Sequence, residues 1–483
     1  MIRKIKRFER DSTIVLVDPV QDWTTWKTCA QSLIEPLGLE IIGAVLQNAG
    51  YKVKILQAQG KKPDFLVKEI IKYQPQVVGL TSYTYNFHDA LKVAKKLKDQ
   101  NRGIITIFGG YHATFVPSII QDDAVDYVVR GPGELNMLEL IKEIEKRGHL
   151  QNVKSIAYKD DKGEAHIKPI NASLPNLDEI PFAIRYKEIL EGCKIDSLMY
   201  PPPSQQRNTS AIFASRGCPF SCSYCTAPAY YGRRVQYRRP NKVVAEIEYL
   251  IKQYNTNTLY FVDLTFNLNR NYVIELCNEI IRKKLEIYWY ALFRPERVDN
   301  MFANILKKAG CSKAGVGIES FDLNTIKKTK RGTARYFDNL KKTLKNLHEE
   351  GIITRGLVMI GYPWETHETY KNLINNLTSL PLDEIRIGIL TPFPGTALYD
   401  QCGWEGRLLT ANFMLYDSRN PRIKCDHVAP KDILNAGEII YEKFYEADTY
   451  QKIKKYKISQ NPLLESSFYE FERNFMKKKE VKK

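Results

Sequence analysis

At 483 residues, 43% hydrophobic and 26% charged, the chain is long enough for about two to four domains and apolar enough to give them cores. Its net charge is +17, yet Lys and Arg alternate with acids along most helical stretches, so the excess reads as a solvated surface and argues against a nucleic-acid or anionic-lipid role. After the basic start Met1-Ile2-Arg3-Lys4 the first apolar run, 14–17, is too short for a signal-peptide core or a membrane span. Nine scattered cysteines in a chain of this length do not make a disulfide scaffold. The expectation is a cytoplasmic protein with reduced thiols and no membrane span.

Residues 1–150 alternate short apolar runs with stretches of helical spacing. Strands are expected over 13–18, 52–56, 77–82, 104–108 and 127–129, and helices over 37–49, 63–73 and 87–98. This alternation implies a doubly wound, flavodoxin-like parallel sheet, whose ligands gather at the carboxyl ends of its strands. Small and polar residues collect there: Thr81-Ser82-Tyr83 after the third strand and Gly109-Gly110-Tyr111-His112-Ala113-Thr114 after the fourth. The glycine pair lets backbone approach a bulky ligand.

Residues 151–207 read as a connector, because Pro169, Pro175, Pro181 and Pro201-Pro202-Pro203 break any long helix; Cys193 there reads as structural. Over 208–400 the alternation resumes, with strands expected at 211–214, 258–262, 288–292, 314–318, 357–360 and 385–390 and helices at 243–253, 272–282, 301–308 and 337–349. Six βα units suggest a partial (β/α)6 TIM-type barrel with its working residues at the strands' carboxyl ends. Those ends carry a cysteine loop, Asp263, Arg294, Glu319, Gly361-Tyr362-Pro363 and Thr391-Pro392-Phe393-Pro394-Gly395-Thr396, which together suit a zwitterionic, ribose-bearing ligand. The plainer readings are strand-end caps or salt bridges for Asp263 and Glu319, and Asp299 as partner of Arg294.

Residues 401–483 follow no assignable pattern beyond a mainly helical character. Cys402, Cys425 and His427 lack the spacing of a standard metal site. Residues 414–416 and 468–475 are expected to cover the barrel mouth or pack against the first domain, and 477–483 to fray.

The cysteine loop is Cys218-Pro219-Phe220-Ser221-Cys222-Ser223-Tyr224-Cys225. Its Cys-x3-Cys-x2-Cys spacing supplies three thiolates, which leaves one iron of a [4Fe–4S] cluster open to an outside ligand. Structural zinc would want a fourth ligand nearby, and the next cysteine, Cys277, is far downstream.

With an aromatic residue, Tyr224, before the third cysteine, this loop resembles the radical S-adenosylmethionine (SAM) superfamily. Glu35-Pro36-Leu37-Gly38-Leu39, Gly109-Gly110-x-His112-Ala113-Thr114 and Val128-x-x-Gly131-x-Gly133-Glu134 resemble the N-terminal domain of the cobalamin-dependent radical SAM enzymes over nearly all of 12–147. Leu177-Asp178-Glu179-Ile180-Pro181-Phe182 resembles the family's interdomain link, and Ile318-Glu319-Ser320 and Pro392-x-Pro394-Gly395-Thr396 match its barrel. The resemblance implies that Cys218, Cys222 and Cys225 hold the cluster and that SAM occupies the open iron and yields a 5′-deoxyadenosyl radical. By the same resemblance Tyr224 contacts the adenine, Asp263 and Glu319 the amino group or ribose, and Arg294 the carboxylate, with Gly361 also at SAM. Cobalamin would contact Pro36, Leu37, Ser82, Tyr83, Gly109, Gly110, Tyr111, His112, Gly131 and Glu134. One departure stands out. Where many cobalamin proteins carry Asp-x-His-x-x-Gly, this chain has Asp18-Pro19-Val20-Gln21-Asp22-Trp23, so the lower face of cobalt is expected to be empty, water-bound or shielded, and His112 to contact the cofactor edge or its loop.

The leading expectation is a methyltransferase that methylates an unactivated carbon of a small-molecule or natural-product substrate through the 5′-deoxyadenosyl radical and methylcobalamin. Its electron donor would be of flavodoxin or ferredoxin type, and no nucleic acid is expected. The alternative is a cyclase or rearrangement enzyme like the anaerobic porphyrin cyclases. A methylthiotransferase fits less well, since that family carries a second three-cysteine cluster in its N-terminal domain and here only Cys29 is available. A non-enzymatic cobalamin sensor would leave the cysteine loop and barrel unexplained.

Overall fold

The computed structural model describes residues 8–19, 34–58, 60–146, 148–171, 174–193, 205–296, 298–333, 335–462, 464–465 and 468. Cys29, the 20–23 part of the segment after the first strand, the proline run 201–203, residues 469–475 and the tail 477–483 lie outside the described residues.

The first five strands are β1 Thr13–Asp18, β2 Lys52–Gln57, β3 Val77–Thr81, β4 Ile105–Gly109 and β5 Tyr127–Val129. They run parallel in the order β2-β1-β3-β4-β5. Successive side chains point to opposite faces, so Ile14 and Leu16 of β1 enter one core and Val15 and Val17 the other. Helices Leu37–Asn48 and Gly133–Lys146 cover the first face. Pro63–Ile71 and Phe87–Gln100 cover the second. The stretch expected as a connector begins with two short strands, β6 Ile156–Lys159 and β7 Ala165–Ile167. They continue the sheet antiparallel from β5.

Six strands form the second sheet: β8 Asn208–Ile212, then, after a small antiparallel ribbon of β9 Ser215–Gly217 and β10 Val235–Tyr237, β11 Thr256–Phe261, β12 Tyr288–Phe293, β13 Cys311–Glu319, β14 Ile353–Ile360 and β15 Glu384–Ile389. All six are parallel in the order β8-β11-β12-β13-β14-β15 and curl into an open half-barrel. Helices such as Pro240–Tyr254, Arg270–Arg282 and Tyr336–Glu349 pack outside it around one core.

Two C-terminal helices, Pro430–Glu446 and Asp448–Gln460, add Ile433, Ile440, Phe444 and Tyr450 to that core. Lys457 donates to the carbonyl of Ile352 at 2.8 Å, at the amino end of β14. Phe468 packs there too, against Ile353 and Leu464, and therefore does not cover the mouth. The segment before these helices does reach the first domain, where Phe413 meets His112 edge-on at 4.9 Å.

A buried ionic cluster fastens the two sheets. Arg185, from the link, pairs with Glu35 and with Glu40 of helix Leu37–Asn48, and at 3.5 Å with Glu246 of helix Pro240–Tyr254. Arg238 pairs with the other oxygen of Glu246 at 2.6 Å. Glu35 also accepts the Ala211 N–H of β8 at 2.6 Å. Among the described residues of this cluster three carboxylates face two guanidiniums, so one bound proton balances the charge. Burial accordingly raises the Glu35 carboxyl and pushes that of Glu40 up to about 8.

Candidate active site

The ribbon strand β9 runs straight into Cys218, and the short helix Ala227–Tyr231 follows Cys225, so the cysteine loop lies at the carboxyl end of β8. Its backbone is tied to the barrel on two sides. Ser223 N–H donates to Thr329 at 3.0 Å, and Leu398 N–H donates to Ser223 at 2.9 Å. Cys222 is buried, with its Sγ 3.8 Å from the Lys330 carbonyl, and Cys218 Sγ lies 3.9 Å from Thr265 Oγ1. Burial, with the Cys222 and Cys218 thiols adding to it, pushes the Cys225 thiol up to about 11; bound iron would take it as thiolate instead. Among the described residues no three His, Cys, Asp or Glu side chains close around a single metal ion, including those of the C-terminal region. A cubane cluster makes no such demand, because each thiolate binds a separate iron. The loop therefore fits a [4Fe–4S] cluster.

Around this loop the barrel mouth concentrates charge. Arg294 lies with its guanidinium 3.7 Å from the centre of the Phe220 ring and 3.9 Å from Cys222 Sγ. It donates to Glu296 at 3.3 Å and to the Arg331 carbonyl; Asp299 pairs with Arg270 instead. Glu319 ends β13 across a register shift, with φ 63°, a left-handed backbone that costs a non-glycine residue about 1–2 kcal/mol. Its carboxylate meets Arg331 at 3.2 Å, and burial raises its pKa while Arg331 and Arg294 pull it back. Tyr224 is close enough for the Glu319 charge to add to the burial that raises its own pKa. Gly361, φ 89°, is held by Glu365, whose carboxylate accepts the Gly361 and Tyr362 N–H groups at 2.6 and 3.0 Å. Asp263 differs from this group. One of its oxygens accepts Ala214 N–H at 3.0 Å, and the other accepts the N–H and hydroxyl of Ser215 at 2.5 and 2.6 Å. It thus caps the turn from β8 into β9, and burial raises it to about 6.

Between the two sheets lies a cavity of about 590 Å³. One wall is the carboxyl end of the first sheet, with Pro36, Leu37, Tyr83, Gly109, Gly110, Tyr111, Gly131 and Glu134; the other is Ala211, Phe213, Ser215, Arg216, Gly217, Tyr230 and Tyr231 from the barrel. Glycine is required at Gly110, where φ is 88° and a Cβ would lie 2.7 Å from the Ser82 carbonyl. At Gly395 a Cβ would meet the Phe115 ring at 2.3 Å, so the last barrel loop can touch the first domain only without a side chain. Tyr111 and Tyr230 meet at 4.5 Å across the junction, flanked by Tyr83 and Tyr231. A wide, apolar-walled cradle edged by glycine backbone fits a corrin ring.

Two expected cavity residues lie behind this wall. Ser82 donates to the Gly109 carbonyl at 2.9 Å and so braces the loops. His112 is buried against Phe87 at 4.4 Å and Thr84 at 3.4 Å, and burial lowers its pKa to about 4. No histidine among the described residues lines the cavity. Arg185, Arg216, Glu246, Tyr230, Arg331 and Glu365 went unread in the sequence. Only Arg216, two positions before Cys218, carried a usable signal.

Residues 24–141 match the B12 binding domain family and residues 212–377 the Radical SAM superfamily. The chain is 29% identical over 415 residues to an uncharacterized methyltransferase of Pyrococcus horikoshii, over 85% of this chain and 87% of that one. It is 27% identical over 420 residues to the anaerobic magnesium-protoporphyrin IX monomethyl ester cyclase of Rubrivivax gelatinosus, over 85% and 73%. Among solved structures it resembles the radical SAM methyltransferase TsrM from Kitasatospora setae with cobalamin and a [4Fe–4S] cluster bound: TM-score 0.66, 20% identity, 82% of this chain and 78% of that one. It also resembles the radical enzyme OxsB with aqua-cobalamin and SAM bound: TM-score 0.72, 15% identity, 95% and 72%. At these identities the two structures show a shared fold.

Proposed function

Because the chain belongs to the cobalamin-dependent radical SAM enzymes, we propose that it methylates an unactivated carbon of a small-molecule or natural-product substrate. Its cofactors are cobalamin, a [4Fe–4S] cluster and SAM. When bound, the cluster and SAM supply the 5′-deoxyadenosyl radical that takes hydrogen from a C–H bond, and cobalamin supplies the methyl group.

The observation that carries this reading is the position of β9. Ser215, Arg216 and Gly217 form part of the cavity wall, and the next residue is Cys218. The seats of the methyl carrier and of the radical source thus share one backbone segment. In this reading Cys218, Cys222 and Cys225 hold the cluster, and Arg294 and Glu319 face the carboxylate and amino ends of SAM. Gly361 and Tyr224 bound its adenosyl part, and Asp263 holds the turn that aims the loop. Pro36, Leu37, Tyr83, Gly109, Gly110, Tyr111, Gly131 and Glu134 bound the corrin, with Ser82 and His112 supporting their loops. Among the described residues no helix is long and apolar enough to cross a membrane. The need for reduced thiols and a low-potential electron supports a cytoplasmic enzyme served by a flavodoxin- or ferredoxin-type donor.

Anaerobic protein loaded with cobalamin and given CD3-labelled SAM, a reductant and candidate substrates tests this. Each product should carry an intact CD3 group, and 5′-deoxyadenosine and S-adenosylhomocysteine should form in about equal amounts. The similarity to the cyclase supports one other reading, ring closure. In that case 5′-deoxyadenosine forms without stoichiometric S-adenosylhomocysteine and no label enters the substrate.

A further inference from the structure

Arg216 and Glu134 both line the cavity, one from β9 of the barrel domain and the other from the first turn of helix Gly133–Lys146 in the first domain. Their side chains are 14% and 5% exposed, and Arg216 donates to one oxygen of Glu134. The second oxygen, Oε2, is buried and has no hydrogen-bond partner among the described residues. Arg216 is further fixed by the Phe213 ring, 4.5 Å from its guanidinium carbon.

A buried acceptor lacking a donor is costly unless a ligand satisfies it. Arg216 has N–H groups besides the one given to Glu134. A donor and an acceptor carried by one ion pair complement a primary carboxamide, which offers an N–H and a carbonyl oxygen together. Because the pair is already charge-balanced, it can take a neutral dipolar group. A carboxylate in the same place would add an uncompensated buried charge, face Glu134 and offer no N–H. The periphery of the corrin in cobalamin carries primary carboxamides, whereas its partly hydrolysed forms carry carboxylates.

We propose that the Arg216–Glu134 pair recognises one of the three primary propionamide side chains (b, d or e) of the corrin and so selects the fully amidated cofactor over its carboxylate forms. This rests on the assignment of the cavity to cobalamin.

The test is a UV–visible titration of the cluster-loaded, full-length protein with hydroxocobalamin and with its b-, d- and e-monocarboxylic acids. Wild type should bind one of the acids at least ~10-fold more weakly than hydroxocobalamin. The double variant Glu134→Gln/Arg216→Gln, which removes both charges together, should bind that acid and hydroxocobalamin within about threefold of each other. Arg216→Lys, which keeps the ion pair, should retain the preference. Should the double variant lose iron or melt early, Glu134→Gln alone decides by the same ratio. Equal binding of all three acids and hydroxocobalamin by wild type overturns the proposal, as does an unchanged preference in the neutral variants. Wild type that binds none of the four corrinoids overturns the cobalamin assignment itself, and the proposal with it.

Discussion

The barrel mouth interlocks Arg294, Glu296, Arg331 and Glu319 around the cysteine loop, whereas the cavity between the domains is walled by glycine backbone and by Tyr83, Tyr85, Tyr111, Tyr230 and Tyr231. The first suits a zwitterion held by charge, the second a broad ring held by shape. The mouth is built from the ends of successive strands of one sheet. The cavity needs both sheets, and its form depends on how the buried Arg185 cluster seats one against the other.

If the two sites are separate in this sense, they can be removed separately, and the effects should be near total. Replacing Cys218, Cys222 and Cys225 together by Ala should take iron from about four per chain to none and abolish SAM cleavage, while hydroxocobalamin still binds. Gly110→Ala should do the reverse, because the added Cβ meets Ser82 and φ 88° disfavours a side chain. Iron should be kept and corrin affinity should fall at least ~10-fold. Loss of both ligands in either variant would show one coupled site.

A smaller effect sharpens the role of the junction. Glu40 has a folded pKa of about 8 against an ordinary 4.5, through burial. The native protein therefore holds a proton there that the unfolded chain has released. That stabilisation is fully present below pH 4.5 and is lost as pH rises through about 8. The melting temperature of wild type should decline over this window, and Glu40→Gln should flatten the decline. An unchanged slope in the variant would place the proton elsewhere in the cluster.

The smallest expected effect is none. His112 lies behind the cavity wall, so the EPR spectrum of bound cob(II)alamin should lack nitrogen superhyperfine splitting from an axial imidazole, and His112→Ala should leave it unaltered. Splitting that disappears in the variant would mean that His112 reaches cobalt.

Hydrophobic period and local chemistry were legible from the residues alone. β1 and β5 fall on the expected bounds, and the cysteine spacing specified three thiolates on one loop, because both signals lie within a few consecutive residues. Long-range pairing was not legible. β13 and β14 begin three or four residues before their apolar runs, because Lys313 and Arg355 are buried inside the barrel by ion pairs to Glu384 of β15. β8 ends before Phe213 and Ala214, because Asp263 turns the chain there into β9. Arg185 gave no sign in a stretch read as connector, since its value comes from three carboxylates that only folding brings to it. The sequence by itself therefore determined the strands of the two parallel sheets, to within a few residues, and which thiols could hold iron. The tertiary structure decided that Ser82 and His112 lie behind the cavity wall, that Asp263 caps the turn from β8 into β9, and that Arg216 and Glu134 meet in the cavity. Burial and pairing between distant segments, not any local pattern, fix where a polar side chain finds its partner.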